Sequence, residues 1–152
     1  MIHRLPLFDW SLKRQAANPK KIHAVDTGLV AVARGFSPRD SGKMLETVVV
    51  NELIRRGGDL YYGKISHGLE IDCIVLKDGR MELMVQVCQE MNDPKTRHRE
   101  IRALAKAAGE IPHAQDARLM ILTPGPGEVI QQDEREIEIV NLSGWLLGLE
   151  ER

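Results

Sequence analysis

The stretch from Glu70 to Glu90, EIDCIVLKDGRMELMVQVCQE, constrains the fold more than any other part of the chain. Two runs rich in β-branched and other apolar residues flank Lys-Asp-Gly, which is typical of a tight hairpin turn. The stretch therefore predicts two antiparallel strands. Asp72 lies on the first strand, and Gln86 and Cys88 lie on the second. Because side chains alternate along a strand, Gln86 and Cys88 should point the same way.

Composition bounds the class of protein. The chain has 152 residues, of which 43% are hydrophobic and 28% charged, so we expect one globular domain and exclude disorder. The formal net charge of -1 excludes a polybasic protein, although local basic patches remain open. Two cysteines do not make a disulfide framework, and no stretch has the apolar length of a signal-peptide core or a membrane span. We therefore expect a soluble, cytoplasmic protein without a membrane partner.

Two stretches have helical periodicity. From Gly42 to Arg56, apolar residues recur at three-to-four-residue steps, Asp40 or Ser41 can cap the start, and two glycines follow the end. The stretch DPKTRHREIRALAKAAG predicts a second helix with an apolar stripe, whose proline favours the first turn. These two helices are expected to flank the hairpin in sequence.

Strands and loops account for the rest of the chain. DLYYGKI predicts a strand before the hairpin, ARLMILT a strand buried on both faces, IEIVNL a final strand and SGWLLGLEE a short closing helix. Residues 1–20 show no clear period and are interpreted as an arm that leads into a domain at residues 21–152. The order of elements predicts the α/β class, with a mixed sheet and helices on both faces.

Asp72 is the first candidate for chemistry. Alternation would place Ile71, Cys73 and Val75 on the opposite face of its strand, and an isolated acid in an apolar strand needs an explanation. A carboxylate is the ligand that Mg²⁺ prefers, and metal-assisted hydrolysis of a phosphodiester needs such ligands. The alternative is that Asp72 pairs with a lysine at the end of the strand.

Glu46, Gln86 and Cys88 are weaker candidates when each is taken alone. Glu46 is an acid on the first helix, and its simpler interpretation is a solvated residue near the helix start. Gln86 is neutral, and the thiolate of Cys88 is a soft ligand that does not suit Mg²⁺. A Cys88 nucleophile would need a base such as His67, and a zinc site would need Cys73 on the same face as Cys88. Inert, buried cysteines are the simpler expectation.

Basic residues cluster in two places, NPKK and KTRHRE. We predict that Lys20, Lys21, Arg97 and Arg99 contact the phosphates of a nucleic acid. The alternative is that these charges form solvated faces, as charge runs commonly do. The sequence contains no GxxxxGK[ST] motif, so it has no nucleotide-binding P-loop.

Four segments in combination resemble a known family: NPKKIHAVDTGLV, GKMLETVVVNELIRRGGDLYYGK, GLEIDCIV and ELMVQVCQEMNDPKTRHREIRALAKA. From Asn18 to Trp145 the chain resembles the C-terminal domain, of unassigned function, of archaeal and bacterial AAA+ ATPases. That domain is similar to the PD-(D/E)XK restriction-endonuclease-like superfamily. The resemblance implies a three-layer αβα fold with a mixed central sheet of about five strands.

The resemblance also implies a set of functional residues. Glu46 matches the helix acid, Asp72 the strand acid, and Gln86-Val87-Cys88 the (D/E)-x-K element. The implied catalytic set is therefore Glu46, Asp72, Gln86 and Cys88, with Glu46 and Asp72 as ligands of Mg²⁺ or Mn²⁺. Glutamine replaces the second acid and cysteine replaces the lysine, so the departures fall on groups that hydrolysis uses.

Three functions are compatible with this pattern. The first is a nuclease-like domain with a degenerate site, acting as the nucleic-acid- or partner-binding module of an ATPase on the same or another chain. The second is an active Mg²⁺- or Mn²⁺-dependent DNA or RNA endonuclease, in which a displaced lysine such as Lys64 or Lys43 supplies the missing charge. The third is an oligomerisation domain anchored by Trp145, for which core packing is the simpler expectation.

Overall fold

The computed structural model describes residues 1–35 and 41–149. This part of the chain forms eight β-strands and five α-helices, with a short 3-10 turn at Ser66–Gly68. The elements in chain order are β1 (Ile2–Leu5), α1 (Leu12–Ala17), β2 (Lys21–Ala24), α2 (Thr27–Arg34), α3 (Ser41–Arg56), β3 (Asp59–Lys64), β4 (Glu70–Lys77), β5 (Arg80–Val87), α4 (Pro94–Glu110), β6 (Arg118–Thr123), β7 (Glu128–Gln132), β8 (Arg135–Asn141) and α5 (Leu142–Leu146).

A six-stranded mixed sheet forms the centre of the domain, in the order β3-β4-β5-β6-β8-β7. Strands β3, β4 and β5 form an antiparallel meander, and β5, β6 and β8 run parallel to one another. Strand β7 pairs antiparallel with β8 at the edge. Helix α4 connects the parallel strands β5 and β6, as a parallel pair requires. The predicted α/β class with a mixed sheet is confirmed.

Helices cover both faces of this sheet. On one face, Leu104 of α4 belongs to an apolar cluster with Met84 of β5. On the other face, Val49 of α3 and Trp145 of α5 belong to a second cluster with Val85. Because Met84 and Val85 are neighbours on one strand, their separation into two clusters follows from the alternation of side chains across the sheet. The candidate residues of β4 and β5 therefore lie between two helical layers.

The two long helices agree with the sequence prediction. Asp93 caps α4, since its Oδ2 accepts the backbone N–H of Thr96 at 2.9 Å, and Pro94 occupies the first turn. Helix α3 ends before Gly57 and Gly58, which both adopt positive φ angles. The predicted cap Asp40 lies outside the described residues.

The hairpin of β4 and β5 also forms as predicted, but β4 contains an irregularity at Asp72. Tyr61 pairs with Ile74, whereas Gly63 pairs with Ile71, so Asp72 and its successor face a single residue of β3. This β-bulge turns Ile71 toward the α4 side, while Cys73 lies on the α3 side. The expectation that these two residues share one face was therefore wrong, because the extra residue changes the alternation.

Two parts of the sheet structure were not predicted. Residues 1–20 contain β1, which pairs antiparallel with β2 of the following segment. The boundary expected at residue 20 stays a prediction. Strand β7 follows directly on the Pro-Gly loop, and its sequence EVIQQ lacks an apolar run because it is a half-exposed edge strand. It accounts for the sixth strand of the central sheet. Strand β2 and helix α2 lead from the arm at residues 1–20 to α3.

The C-terminal helix belongs to the core. Trp145 is buried, and the guanidinium of Arg56 lies 4.0 Å from the centre of its ring. Core packing of Trp145, the simpler of the two expectations, is confirmed. Across residues 1–35 and 41–149, no helix combines the length and the apolar character needed to cross a membrane.

Candidate functional site

A cleft of about 500 Å³ opens where the start of β4 and the end of β5 meet helices α3 and α4. Three of the four predicted catalytic residues, Glu46, Asp72 and Gln86, line it. The sheet places Asp72 and Gln86 beside each other, and α3 carries Glu46 toward them. The other residues that line the cleft are Gly42, Lys43, Gly68, Leu69, Glu70, Val87, Arg99, Glu100 and Ala103.

Lys21 is a central cation of this site. Its Nζ lies 2.9 Å from Oε1 of Glu46, 3.5 Å from Oδ1 of Asp72 and 3.6 Å from Oε2 of Glu70. The side chain is only 24% exposed, and its ammonium lies 5.4 Å from the centre of the Tyr62 ring. Burial alone would lower the pKa of Lys21, but the charges of Asp72 and Glu46 outweigh it and raise that pKa above its usual range. Lys21 is therefore held as a cation among three carboxylates.

Asp72 is held in a position that disfavours its charge. Its Oδ2 accepts the backbone N–H of Val87 at 2.9 Å, and its side chain is 21% exposed. Burial, followed by the negative charge of Glu46, raises the pKa of Asp72 from 3.8 to about 6, although Lys21 opposes this rise. The carboxyl group therefore titrates close to neutral pH.

Gln86 uses both ends of its amide inside the protein. Its Oε1 accepts the backbone N–H of Asp72 at 2.8 Å, and its Nε2 donates to the backbone oxygen of Glu70 at 3.1 Å and to Oε2 of Glu100 at 2.8 Å. A carboxylate at this position could not donate either of the last two bonds. The surroundings of position 86 therefore require an amide, which both donates and accepts hydrogen bonds, and not a carboxylate.

Glu100 is a site residue that the sequence analysis missed. It is buried on α4, and Arg99 donates to its Oε1 through Nε and Nη2 at 3.0 and 2.6 Å. The signal was present in the sequence, since Glu100 lies three and four residues before Ala103 and Leu104 in the apolar stripe of the helix. An acidic residue on the apolar face of a helix is expected to point into the protein, and Glu100 does so.

His23 is the second residue that β2 adds to the site. The hydroxyl of Thr47 lies 2.8 Å from the backbone oxygen of Lys43 and 3.2 Å from Nδ1 of His23. Nε2 of His23 lies 3.9 Å from Oε1 of Glu46 and has no hydrogen-bond partner among the described residues. Burial lowers the pKa of His23 and keeps the ring neutral.

Cys88 does not reach the cleft. It follows the end of β5, is 4% exposed, and belongs to the apolar cluster under α4. Its backbone N–H donates to Leu122 at 2.9 Å, which continues the strand pairing. Burial raises the pKa of the Cys88 thiol and raises that of Cys73 still further. Both thiols are therefore poor nucleophiles in the folded protein, and the two cysteines lie in different core clusters.

The four predicted phosphate contacts have different surroundings. Lys20 is exposed, whereas Lys21 is paired with Glu46, Asp72 and Glu70. Nη1 of Arg97 lies 2.7 Å from Oε1 of Glu128, and Arg99 pairs with its neighbour Glu100. Three of these four cations are thus already matched by carboxylates of the protein itself.

The two predicted metal ligands are engaged with a lysine in this structure. Glu46 and Asp72, the predicted ligands, both direct an oxygen at the ammonium of Lys21. Within the described ranges, no group of three or more histidine, cysteine or acidic side chains is placed to hold a metal ion. A lysine ammonium in the middle of the carboxylates supplies the charge that a cation would otherwise bring.

Comparison with known proteins gives a family for the chain. Residues 41–143 match a domain of unknown function, DUF4143. The chain belongs to this family. No curated protein and no solved structure matches it. The DUF4143 region contains Glu46, Asp72, Gln86 and Glu100, whereas Lys21 comes from the strand that precedes that region.

Proposed function

We propose that this domain is a nuclease-like binding module that does not hydrolyse phosphodiesters, and that it serves an ATPase as its nucleic-acid- or partner-contact domain. The proposal places the chain with the restriction-endonuclease-like domains that its sequence resembles. The observation that carries it is the position of Lys21, whose ammonium lies within 3.6 Å of Glu46, Asp72 and Glu70.

The charge of Lys21 supports the absence of hydrolysis. Metal-dependent hydrolysis needs carboxylate oxygens that are free to bind the ion. A divalent ion would have to displace the ammonium of Lys21, which is paired and partly buried. Its raised pKa keeps it charged. This competition favours the lysine, because its attachment to β2 removes the entropy cost of bringing it to the site.

The hydrogen bonds of Gln86 support the same proposal from the other side of the cleft. The Nε2 group of Gln86 donates one hydrogen bond to the backbone oxygen of Glu70 and one to the carboxylate of Glu100. Position 88, where the (D/E)-x-K element has lysine, is Cys88, and its side chain lies in the core. The surroundings of β5 are therefore adapted to the neutral amide of Gln86 in a closed hydrogen-bond network, which is consistent with binding rather than catalysis.

An active Mg²⁺- or Mn²⁺-dependent DNA or RNA endonuclease is the second candidate, and one observation favours it. Lys21 brings an ammonium to within 3.5 Å of Asp72, so it could replace the charge that Cys88 does not supply. Lys64 or Lys43 was expected from the sequence to fill this role. Lys64 pairs with Glu70 at 3.3 Å, and Lys43 lines the cleft. In this alternative, Lys21 would stabilise the charge that develops on a phosphate.

Cleavage assays with two substitutions separate these candidates. Supercoiled plasmid and single-stranded RNA and DNA are incubated with Mg²⁺ or Mn²⁺ and with wild type, Asp72→Asn, Lys21→Met or the control Lys13→Met, which changes an exposed lysine of α1. We expect no cleavage above the level of Asp72→Asn. Cleavage by wild type and Lys13→Met that is lost in both Asp72→Asn and Lys21→Met would overturn the proposal and establish the endonuclease.

A further inference from the structure

Trp10 forms an exposed aromatic surface next to the segment that follows α4. Its side chain is 46% exposed, which is a large apolar area for one residue to leave in water. Its Nε1–H donates to the backbone oxygen of Pro112 at 3.3 Å. The ring meets Phe8 edge-on at 5.1 Å and His113 edge-on at 5.5 Å. The indole is therefore held by one hydrogen bond and two perpendicular ring contacts, while about half of the residue stays exposed.

The backbone around Trp10 is also fixed. The N–H of Phe8 donates to Tyr62 of β3 at 2.7 Å, and Tyr62 donates in turn to Pro6 at 3.0 Å. The ring of Phe8 meets Tyr61 edge-on at 5.6 Å. A rigid aromatic group of this kind can stack on a planar ligand without losing further conformational entropy.

Two cations at the tip of the β4–β5 hairpin line the same cleft as Trp10. Lys77 and Arg80 are directly opposite each other in the strand register, and both are exposed. Like charges in opposite positions of a β-ladder destabilise it. Within the described ranges, neither residue has a carboxylate within ion-pair distance. An anionic group bound between the two cations would relieve this repulsion.

Trp10, Lys77, Arg80 and His113 line one open cleft, which we name the Trp10 face. The nearby guanidinium of Arg135 donates to the backbone oxygen of Gln115 at 2.8 Å, so its charge is not neutralised by that contact. Three acids, Asp78, Glu82 and Asp116, also line the cleft. Three carboxylates stand against the cations of Lys77 and Arg80 in this lining, so charge alone does not hold an anion here, and stacking on Trp10 has to supply much of the binding energy.

We propose that the Trp10 face binds single-stranded nucleic acid, with a base stacked on Trp10 and the adjoining phosphates between Lys77 and Arg80. Single strands expose the flat faces of their bases, and aromatic side chains beside cations are the usual means of binding them. A duplex keeps its bases stacked on one another and cannot use Trp10 in this way. This proposal rests on the nucleic-acid-contact role proposed above. It places that role at a site without Lys21, Glu46 or Asp72, so the cleavage assays and the binding assays can fail separately.

Intrinsic fluorescence provides a direct test, because the chain has two tryptophans and the other, Trp145, is buried. Wild type and Trp10→Phe are titrated with an oligothymidylate of about 12 nucleotides at low ionic strength. We expect the oligonucleotide to quench wild-type emission and to leave the emission of Trp10→Phe unchanged. Quenching of equal depth in both proteins, or in neither, would overturn the proposal.

Affinity is measured in parallel by anisotropy of the same oligonucleotide carrying fluorescein. Trp10→Ala should bind about tenfold to a hundredfold more weakly, as expected for loss of one stacked base. The double variant Lys77→Ala/Arg80→Ala should bind more weakly and with a smaller salt dependence, whereas Arg102→Ala, which changes an exposed cation of α4, serves as the matched control. Equal affinity of all variants, equal binding of a duplex, or equal competition by a glutamate-rich peptide would each contradict a single-strand site.

Discussion

The side chain of Gln86 replaces part of the ladder between β4 and β5, because its Oε1 accepts the backbone N–H of Asp72 at 2.8 Å. Regular pairing of the two strands begins one residue later, at Cys73 and Val85. The bulge at Asp72 would otherwise leave its N–H without a partner in a partly buried position. The amide of Gln86 thus fixes the position from which Asp72 meets Lys21.

Restoring an acid at position 86 should destabilise the protein. Gln86→Glu loses the two donated hydrogen bonds to Glu70 and Glu100, and it places a new negative charge beside Glu100. We expect the free energy of unfolding at pH 7 to fall by about 2–4 kcal/mol. Urea denaturation of Gln86→Glu and wild type measures it. At pH 4.5 we expect a smaller loss, because protonation of the introduced carboxylate removes its repulsion with Glu100. An equal loss at both pH values would contradict this explanation.

The stability of the domain should decrease as Asp72 ionises. Its folded-state pKa of about 6 lies above the ordinary value of 3.8, so the folded state binds more protons than the unfolded state between these values. The contribution of Asp72 is therefore present below pH 4 and is lost as pH rises through 6, with a total of about 2–3 kcal/mol. Asp72→Asn, which keeps an acceptor for the N–H of Val87, should gain that amount relative to wild type between pH 4 and pH 8.

Thermal or urea unfolding at several pH values tests this dependence on Asp72. The matched control is Asp59→Asn, which changes an exposed acid at the start of β3 and should show no comparable gain. If Asp72→Asn loses stability relative to wild type as pH rises, attraction to Lys21 outweighs burial, and the assigned cause of the pKa shift is wrong.

Removal of Lys21 should convert the acidic cleft into a site for divalent cations. Lys21→Met leaves Glu46, Asp72 and Glu70 without their common counter-ion, and we expect a loss of about 1–3 kcal/mol because the pair is partly exposed. Millimolar Mn²⁺ should then raise the melting temperature of Lys21→Met and leave that of wild type and Lys13→Met unchanged. Calorimetric binding of Mn²⁺ to wild type with the same affinity as to Lys21→Met would contradict the role assigned to the ammonium.

Restoring lysine at position 88 should not restore a catalytic charge. The side chain of Cys88 lies in the apolar cluster with Met91 and Leu104, so Cys88→Lys buries an ammonium without a partner. We expect a loss of at least about 3 kcal/mol, compared with about 1 kcal/mol for Cys88→Ala. Chemical denaturation measures both, and a stable Cys88→Lys variant would show that position 88 can reach solvent or the cleft.

The local parts of the site could be predicted from the sequence because they depend on short-range patterns. The apolar runs around Lys-Asp-Gly fix a hairpin, and the hairpin brings Asp72 and Gln86 together. The periodicity of α3 places Glu46 on a helix next to them in the chain. These three residues do line one cleft.

The remaining parts depend on contacts between distant segments. Nothing in the alternation of β2 indicates that Lys21 meets Glu46, since the two are brought together by packing of β2 against α3. The bulge at Asp72 is equally hidden, because a strand with an extra residue has the same composition as a regular one. Glu100 was within reach of sequence analysis, through its place in the apolar stripe of α4.

The strand that carries Lys21 lies outside the region that defines the DUF4143 family. A fragment trimmed to residues 41–143 would keep Glu46, Asp72, Glu70 and Glu100 but would lack their counter-ion, so its electrostatic balance would differ from that of the intact chain. Domain boundaries drawn from sequence similarity alone would therefore divide one electrostatic unit in two. Any exchange of this domain between proteins has to carry the preceding strand with it to preserve the same charge state.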